Sequence, residues 1–256
     1  MKIINYVNTD EITAATSLKD DCEPESFNLA LHACNKTDDI ITNRRKLANY
    51  LNMTIENFVF AQQTHSDLCY KVTKEEACKG ALYYNDSIQL VDALYTFEED
   101  LLIGVFHADC VPILFYDKTS NLIGAIHSGW QGSVKEITYK TIQKIVSEEK
   151  IDPSNIIAFI GPAISYNSFI VDYDVVEKVQ NMSFDTSLCI KSIDNNKYLV
   201  DNKKLNYLQL MNAGLLKENI IMNDIDTFTN SKDCFSYRYD KKTGRHLSYI
   251  LRHKKY

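Results

Sequence analysis

Residues 101–128 constrain the fold more than any other part of the chain. "LLIGVFHADC", "VPILFYD" and "LIGAIH" are three apolar runs in close succession, parted only by a polar turn before Pro112 and by "KTSN" at 118–121. Each run is short and rich in branched or aromatic residues, so each is read as a buried strand rather than a helix. "NFVFAQQTH" (57–65) reads as a short strand running into a polar turn, and "NIIAFIGP" (155–162) as another buried strand.

Helical patterns interleave with these runs. "DDIITNRRKLANYL" (38–51) has apolar residues at 40, 41, 47, 48 and 51, the spacing of an amphipathic helix. Ser133 with Glu136 three residues on predicts a capping box, followed by Val134, Ile137, Thr141, Ile142, Ile145 and Val146 at helical spacing. "DNKKLNYLQLMNAG" (201–214) predicts a helix capped by Asp201 and stopped by Gly214. The tail "FSYRYDKKTGRHLSYILR" predicts two strand-like pieces around the turn "DKKTG". Helices mixed with strand–turn–strand pieces point to an α+β fold of mixed sheets with covering helices. There is no internal repeat and no break in composition, so one domain spanning residues 1–256 is expected.

At 45% hydrophobic residues the chain can bury a full core, and its formal charge of -6 argues against nucleic acid as the main partner. No run of 18 apolar residues is present, so no membrane association is expected. The N-terminal stretch has no long apolar core of the kind that directs secretion. The seven cysteines form no C-x-x-C pair, which leads us to expect a reducing, cytoplasmic setting.

Three strand ends carry the chemistry: His65 in "QQTHS", Cys110 in "HADCVP" and His127 in "AIHSGW". Two imidazoles and a thiolate suit zinc, and three protein ligands leave a fourth position open, as in catalytic zinc sites. Copper accepts the same donors. Cys110 with His127 also fits a thiolate–imidazolium pair, with Asp109 or Gln63 as orienting group, and the spacing does not choose between metal and cysteine chemistry. Asp109 fits equally an imidazole partner or a turn cap. His107 lies nearby, but strand alternation puts residues 107 and 110 on opposite faces unless the chain turns between them. Arg44, Arg45, Arg238 and Arg245 are candidate forks for phosphate or carboxylate, with Arg45 the most ordinary as a solvated residue. Trp130, the only tryptophan, follows His127 within "HSGWQG", where Gly129 and Gly132 let the backbone pass close to a ligand.

These segments together resemble the laccase-domain family, also described as multicopper polyphenol oxidase, peptidoglycan editing factor or purine nucleoside phosphorylase. The resemblance runs from about residue 26 to the end through "FNLALH", "NRRKLANYL", "QTH", "DALYT", "ADCVPILFYD", "HSGWQG", "IGPAI", "DNKKLNYLQL", "FSYR" and "TGR", in the family's order. It implies a zinc site formed by His65, Cys110 and His127, and an α/β/β/α layering of mixed sheets between helices. It also implies phosphorolysis of adenosine, inosine, guanosine and S-methyl-5'-thioadenosine to base and (methylthio)ribose 1-phosphate, and deamination of adenosine to inosine. Under that resemblance Cys110, His65, His127 and Asp109 are the expected catalytic residues. Arg44, Gln63, His107, Trp130, Arg238 and Arg245 are the expected substrate-binding residues, with purine nucleosides and phosphate as partners. The alternatives are a cysteine hydrolase acting on an amide in peptidoglycan precursor editing and a copper-dependent polyphenol oxidase. The chain departs from the family pattern at His107, Gln131, Ala163 and Phe228, where the family usually has Thr, Arg, Cys and Cys. The missing arginine and thiols weaken phosphate binding at 131 and multicopper chemistry.

Overall fold

The structure, a computed structural model, describes residues 1–254. The chain opens with β1 (Ile3–Asn8) and β2 (Ile12–Ser17), then α1 (Thr37–Tyr50), β3 (Phe58–Phe60), β4 (Cys69–Lys71) and β5 (Ala93–Thr96). The central apolar segment forms β6 (Leu102–His107), β7 (Val111–Asp117) and β8 (Ile123–Ser128), followed by α2 (Trp130–Val134), α3 (Ile137–Glu149) and β9 (Ile156–Ile160). The remainder comprises β10 (Ile170–Val171), α4 (Tyr173–Gln180), β11 (Ile190–Ser192), β12 (Tyr198–Val200), α5 (Asn202–Asn212), β13 (Ile220–Met222) and β14 (His246–Arg252).

Two sheets form the body. One has the order β1-β2-β14-β6-β3, the other β13-β9-β7-β8-β5-β4, and both mix parallel with antiparallel pairs. Strand alternation gives each sheet two apolar faces. The inner faces meet through Ala14, Ile103, Val105 and Ile250 of the first sheet and Leu94, Leu114, Ile123 and Phe159 of the second. The outer face of the first packs Phe58, Phe60, Leu247 and Tyr249 on Leu47 and Ala48 of α1. The outer face of the second packs Ile113, Phe115 and Ile126 on Ile137, Ile142 and Ile145 of α3 and Leu210 of α5. The result is the expected α/β/β/α layering, with each fully buried aliphatic or aromatic side chain contributing about 1.5–3 kcal/mol. A small third sheet, β10-β12-β11, packs with α4 over a separate cluster that includes Val176 and Leu205.

Two local expectations are corrected. Ser133 caps nothing: it lies inside α2, its hydroxyl 2.8 Å from Ser128 Oγ, and the chain breaks at Glu136 in a left-handed turn (φ 62°) before α3 begins. Glu136 is drawn away because its carboxylate accepts from Ser183 N and Oγ at 2.6 and 2.8 Å. In the tail only the second piece becomes a strand, β14; residues 235–245 form turns. Asp201 and Gly214 behave as expected, Asp201 accepting from Lys204 N at 2.9 Å and Gly214 taking φ +103°. Among the described residues, no helix is long and apolar enough to cross a membrane.

Candidate metal centre

The strand ends converge because β7 pairs with β8 so that Pro112 faces His127, which brings Cys110 to the end of β8. Asp109 makes the corner: it sits at φ 83°, reversing the chain between β6 and β7. The chain does turn between residues 107 and 110, yet the two side chains part: His107 meets Ser248 and His246, and Cys110 meets His65 and His127. His65 arrives from a separate turn and is itself left-handed at φ 57°. The donor atoms of His65, Cys110 and His127 all lie within 4.8 Å of one another, with Cys110 Sγ 3.9 Å from His65 Nε2.

One carboxylate, Asp92, holds the arrangement. It is fully buried immediately before β5 and accepts from Thr64 N (3.0 Å), His65 N (3.0 Å), Ser66 N (2.7 Å), Ser66 Oγ (2.8 Å) and His127 Nδ1 (2.8 Å). It therefore shapes the turn that presents His65 and commits one nitrogen of His127, leaving Nε2 for a ligand role. Lys135 Nζ donates to His65 O at 2.7 Å from the other side. Sequence reasoning missed Asp92 as a site residue. The available signal was an aspartate directly ahead of an apolar strand, in the "DALYT" segment.

The electrostatics follow from this packing. Burial opposes the charge on Asp92, but the His127 hydrogen bond and charge and the Ser66 donors outweigh it and bring its carboxyl down to about 2. Burial likewise disfavours a charged His127, yet Cys110 and Asp92 beside it push its imidazole up to about 9. Burial would raise the Cys110 thiol; the His127 charge, with hydrogen bonds from His127 and His65, instead lowers it to about 6. The shared environment thus favours the Cys110 thiolate, the form that ligates metals and attacks electrophiles.

The donor set fits a borderline divalent metal. Zinc with sulfur at about 2.3 Å and nitrogen at about 2.0–2.1 Å in a tetrahedron needs donors roughly 3.5 Å apart, a small contraction of what is present. Gly129 keeps the space: a Cβ there would stand 2.5 Å from His65 Cδ2 and 3.0 Å from Cys110 Sγ.

His65 and Cys110 of the trio line a cavity of about 280 Å³, together with Asp109, Trp130, Phe169, Asn202, Tyr237, Arg238 and Lys241, while His127 lies buried behind them. Trp130 and Arg238 are therefore beside the trio. Arg238 stands with its guanidinium 5.6 Å from the Phe169 ring centroid and makes only long contacts, 3.4 Å, to the carbonyls of Ser168 and Ile170. The sequence also did not single out Asn202. It is 3% exposed, donates through Nδ2 to Ser128 O at 3.3 Å, and has no partner for Oδ1 among the described residues.

Four expected roles do not fit the geometry. Asp109 orients no imidazole; its carboxylate accepts from Thr227 Oγ1 and Arg238 N, both at 2.6 Å, and so ties the 227–238 segment to the corner. The Gln63 side chain is committed to the backbone of Phe106, donating to its oxygen and accepting from its nitrogen at 2.7 Å each. Arg44 is 1% exposed, donates to the carbonyls of Leu29, Gly80 and Ala81, and packs over the rings of Phe60 and Phe106, so it is a core strut rather than a phosphate fork. His107 is buried on β6, where its Nε2 meets Ser248 Oγ at 2.8 Å and its ring packs 5.2 Å from His246, so it neither joins the trio nor lines the cavity. Arg245 lines a neighbouring cavity.

The buried histidine pair is expected to make the fold acid-sensitive. His246 donates from Nδ1 to Ser17 O and accepts at Nε2 from Phe235 N, both at 2.8 Å, so its ring is held neutral and burial lowers its pKa to about 4. Below pH 6.5 the unfolded chain gains a proton there that the folded chain refuses until about pH 4. Stability is therefore expected to fall through that window by about 3 kcal/mol from this residue, with His107, also lowered by burial, adding in the same direction. Urea unfolding at several pH values, with chelator present, reads this slope. It should shrink in His246→Gln, and an unchanged slope in that variant counts against the assignment.

Known proteins share the sequence pattern and the fold of this chain. A family model described as multi-copper polyphenol oxidoreductase laccase matches residues 17–253. Purine nucleoside phosphorylase YlmD of Bacillus subtilis (strain 168) is 36% identical over 227 residues, 88% of this chain and 82% of that protein. A protein named purine nucleoside phosphorylase from Staphylococcus epidermidis is 33% identical, over 89% of this chain and 85% of its own. The crystal structure of YlmD from Geobacillus stearothermophilus superposes with a TM-score of 0.91 at 32% identity, covering 95% of this chain and 93% of that one. A Bacillus licheniformis protein described as hypothetical protein YfiH superposes at 0.92 with 30% identity, covering 98% and 99%.

Proposed function

The chain belongs to the family described as multi-copper polyphenol oxidoreductase laccase, and from that membership and its relatives' names we propose that it is a zinc-dependent purine nucleoside enzyme. It cleaves adenosine, inosine, guanosine and S-methyl-5'-thioadenosine with phosphate, and deaminates adenosine to inosine. The observation that carries the proposal is the convergence of His65, Cys110 and His127, two of which, His65 and Cys110, line an aromatic-walled cavity. His65, Cys110 and His127 would hold the zinc, which would supply Lewis acidity. Asp92 keeps His127 in the tautomer that offers Nε2, and Gly129 leaves room for the donors. Trp130, Phe169 and Tyr237 offer apolar faces for a purine, and Arg238 and Lys241 bring positive charge to the same space for phosphate. At about 280 Å³ the cavity is close to the lower end of the usual small-molecule range, about 300–1,000 Å³. Multicopper oxidation is less well supported, since among the described residues one such donor group is present.

Zinc-loaded protein with phosphate and adenosine is expected to give adenine, ribose 1-phosphate and inosine, separated by liquid chromatography. Absence of all three products would overturn the proposal. A second reading has its own observation: Cys110, His127 and Asp92 lie in the order of a thiolate, imidazolium and carboxylate relay, as amide-cleaving cysteine enzymes require. It is favoured if turnover of an amide substrate survives chelation and is lost on alkylation of Cys110.

A further inference from the structure

A second cavity, about 550 Å³, adjoins the first and is lined by four cationic residues: Lys19, Lys241, Lys242 and Arg245. The chain as a whole is acidic, with 28 Lys and Arg against 34 Asp and Glu, so bulk composition does not explain this cluster. Two carboxylates also line the cavity, but both are turned onto their own surroundings. Glu25 accepts from Asn35 N (2.8 Å), Lys36 N (2.6 Å) and Asn28 Nδ2 (3.2 Å), and Asp240 accepts from Lys242 N (2.9 Å). Of the four cations, Lys19 alone has a carboxylate within 4 Å among the described residues, Asp21 at 3.6 Å.

The loop that presents three of the cations is held in place. Buried Asn28 accepts from Arg245 N at 2.9 Å, and a Cβ on Gly244 would stand 2.7 Å from Asn28 Cγ, so loop and anchor are in direct contact. The Arg245 Nη1 is tied to the carbonyls of Thr243 and Gly244 at 2.6 and 3.0 Å. Like charges fixed around one hollow repel each other, and a multivalent anion relieves that repulsion. Lys241 lines both cavities, and Tyr237 of the first carries Lys241 Nζ at 4.2 Å and the Arg245 guanidinium at 5.6 Å from its ring centroid. An anion in the second cavity would therefore sit beside the nucleoside cavity.

We propose that this second cavity binds a phosphate group, as free orthophosphate or as the monoester of a sugar phosphate. Its service to phosphorolysis rests on the function proposed above; its existence as an anion site does not. The test is isothermal titration of the full chain, zinc-loaded and at constant ionic strength, with orthophosphate and separately with ribose 1-phosphate. Binding is expected below about 10 mM, weakened about 3–10-fold in Lys242→Ala and further in Lys19→Ala/Lys242→Ala, with zinc content unchanged. Tighter binding of ribose 1-phosphate that is weakened in the double variant identifies the ester as the ligand of this cavity, and equal or weaker binding of the ester identifies the free anion. No heat with either probe, or equal affinity in the double variant, overturns the proposal. Phosphate binding that persists in a protein without nucleoside turnover removes the proposed function and leaves the anion site standing.

Discussion

Asp92→Ala is expected to cost about 3–5 kcal/mol of folding stability, the range for breaking a buried charged pair by removing one partner. The change strands a buried imidazole whose Nδ1 has no other acceptor among the described residues, together with the N–H groups of Thr64, His65 and Ser66. Urea unfolding of chelator-treated protein measures the loss, and a change under about 1 kcal/mol would show that Asp92 does not hold the site as described. Asp92→Asn separates support of the metal from support of the fold. It keeps one acceptor oxygen and the side-chain volume, so much of the stability should return. Its amide nitrogen cannot accept from the remaining donors, and zinc affinity should remain about 10–100-fold weaker, read by competition with a chromophoric chelator.

Cys110→Ala is expected to abolish stoichiometric zinc binding and to lower nucleoside phosphorolysis by roughly 10³-fold or more, a loss of several kcal/mol of charge stabilisation. The thiolate is the one anionic ligand among the three donors, and an alanine methyl leaves two imidazoles that hold zinc poorly. The fold should persist, because Asp92 still organises the turn at 64–66 and the strand pairing of β7 with β8 is unaffected. Metal analysis and circular dichroism of the same sample check both statements. Retained zinc at one per chain would remove Cys110 from the ligand set. The cysteine-hydrolase reading also loses activity in this variant, so the deciding comparison is wild-type protein stripped of metal: zinc chemistry stops there, and thiolate chemistry continues.

Much of the fold was legible because its signals are local. The apolar runs at 101–128 became β6, β7 and β8, and the helix patterns at 38–51 and 201–214 became α1 and α5 with ends close to those expected. The misread places are where a long-range partner overrode a local preference. Ser133 and Glu136 have capping-box spacing, but Ser133 bonds to Ser128 and Asn206, and Glu136 to Ser183. Arg44 reads as a solvated or phosphate-binding arginine until the carbonyls of Gly80 and Ala81, 36 and 37 residues away, arrive to take its donors.

The site divides in the same way. The sequence by itself determined which residue types stand at the strand ends, and so the candidate trio of His65, Cys110 and His127 and its suitability for zinc. It did so because apolar runs and the turns that end them are properties of contiguous residues. Only the tertiary structure decided that Asp92, not Asp109, steadies the histidine, that Gln63 and His107 belong to the scaffold, and that Arg238 rather than Arg44 faces the cavity. Those outcomes depend on which hydrogen-bond donors and acceptors meet when separate strands pair, and Asp92 meets His127 across 35 residues of chain and Ser66 across 26.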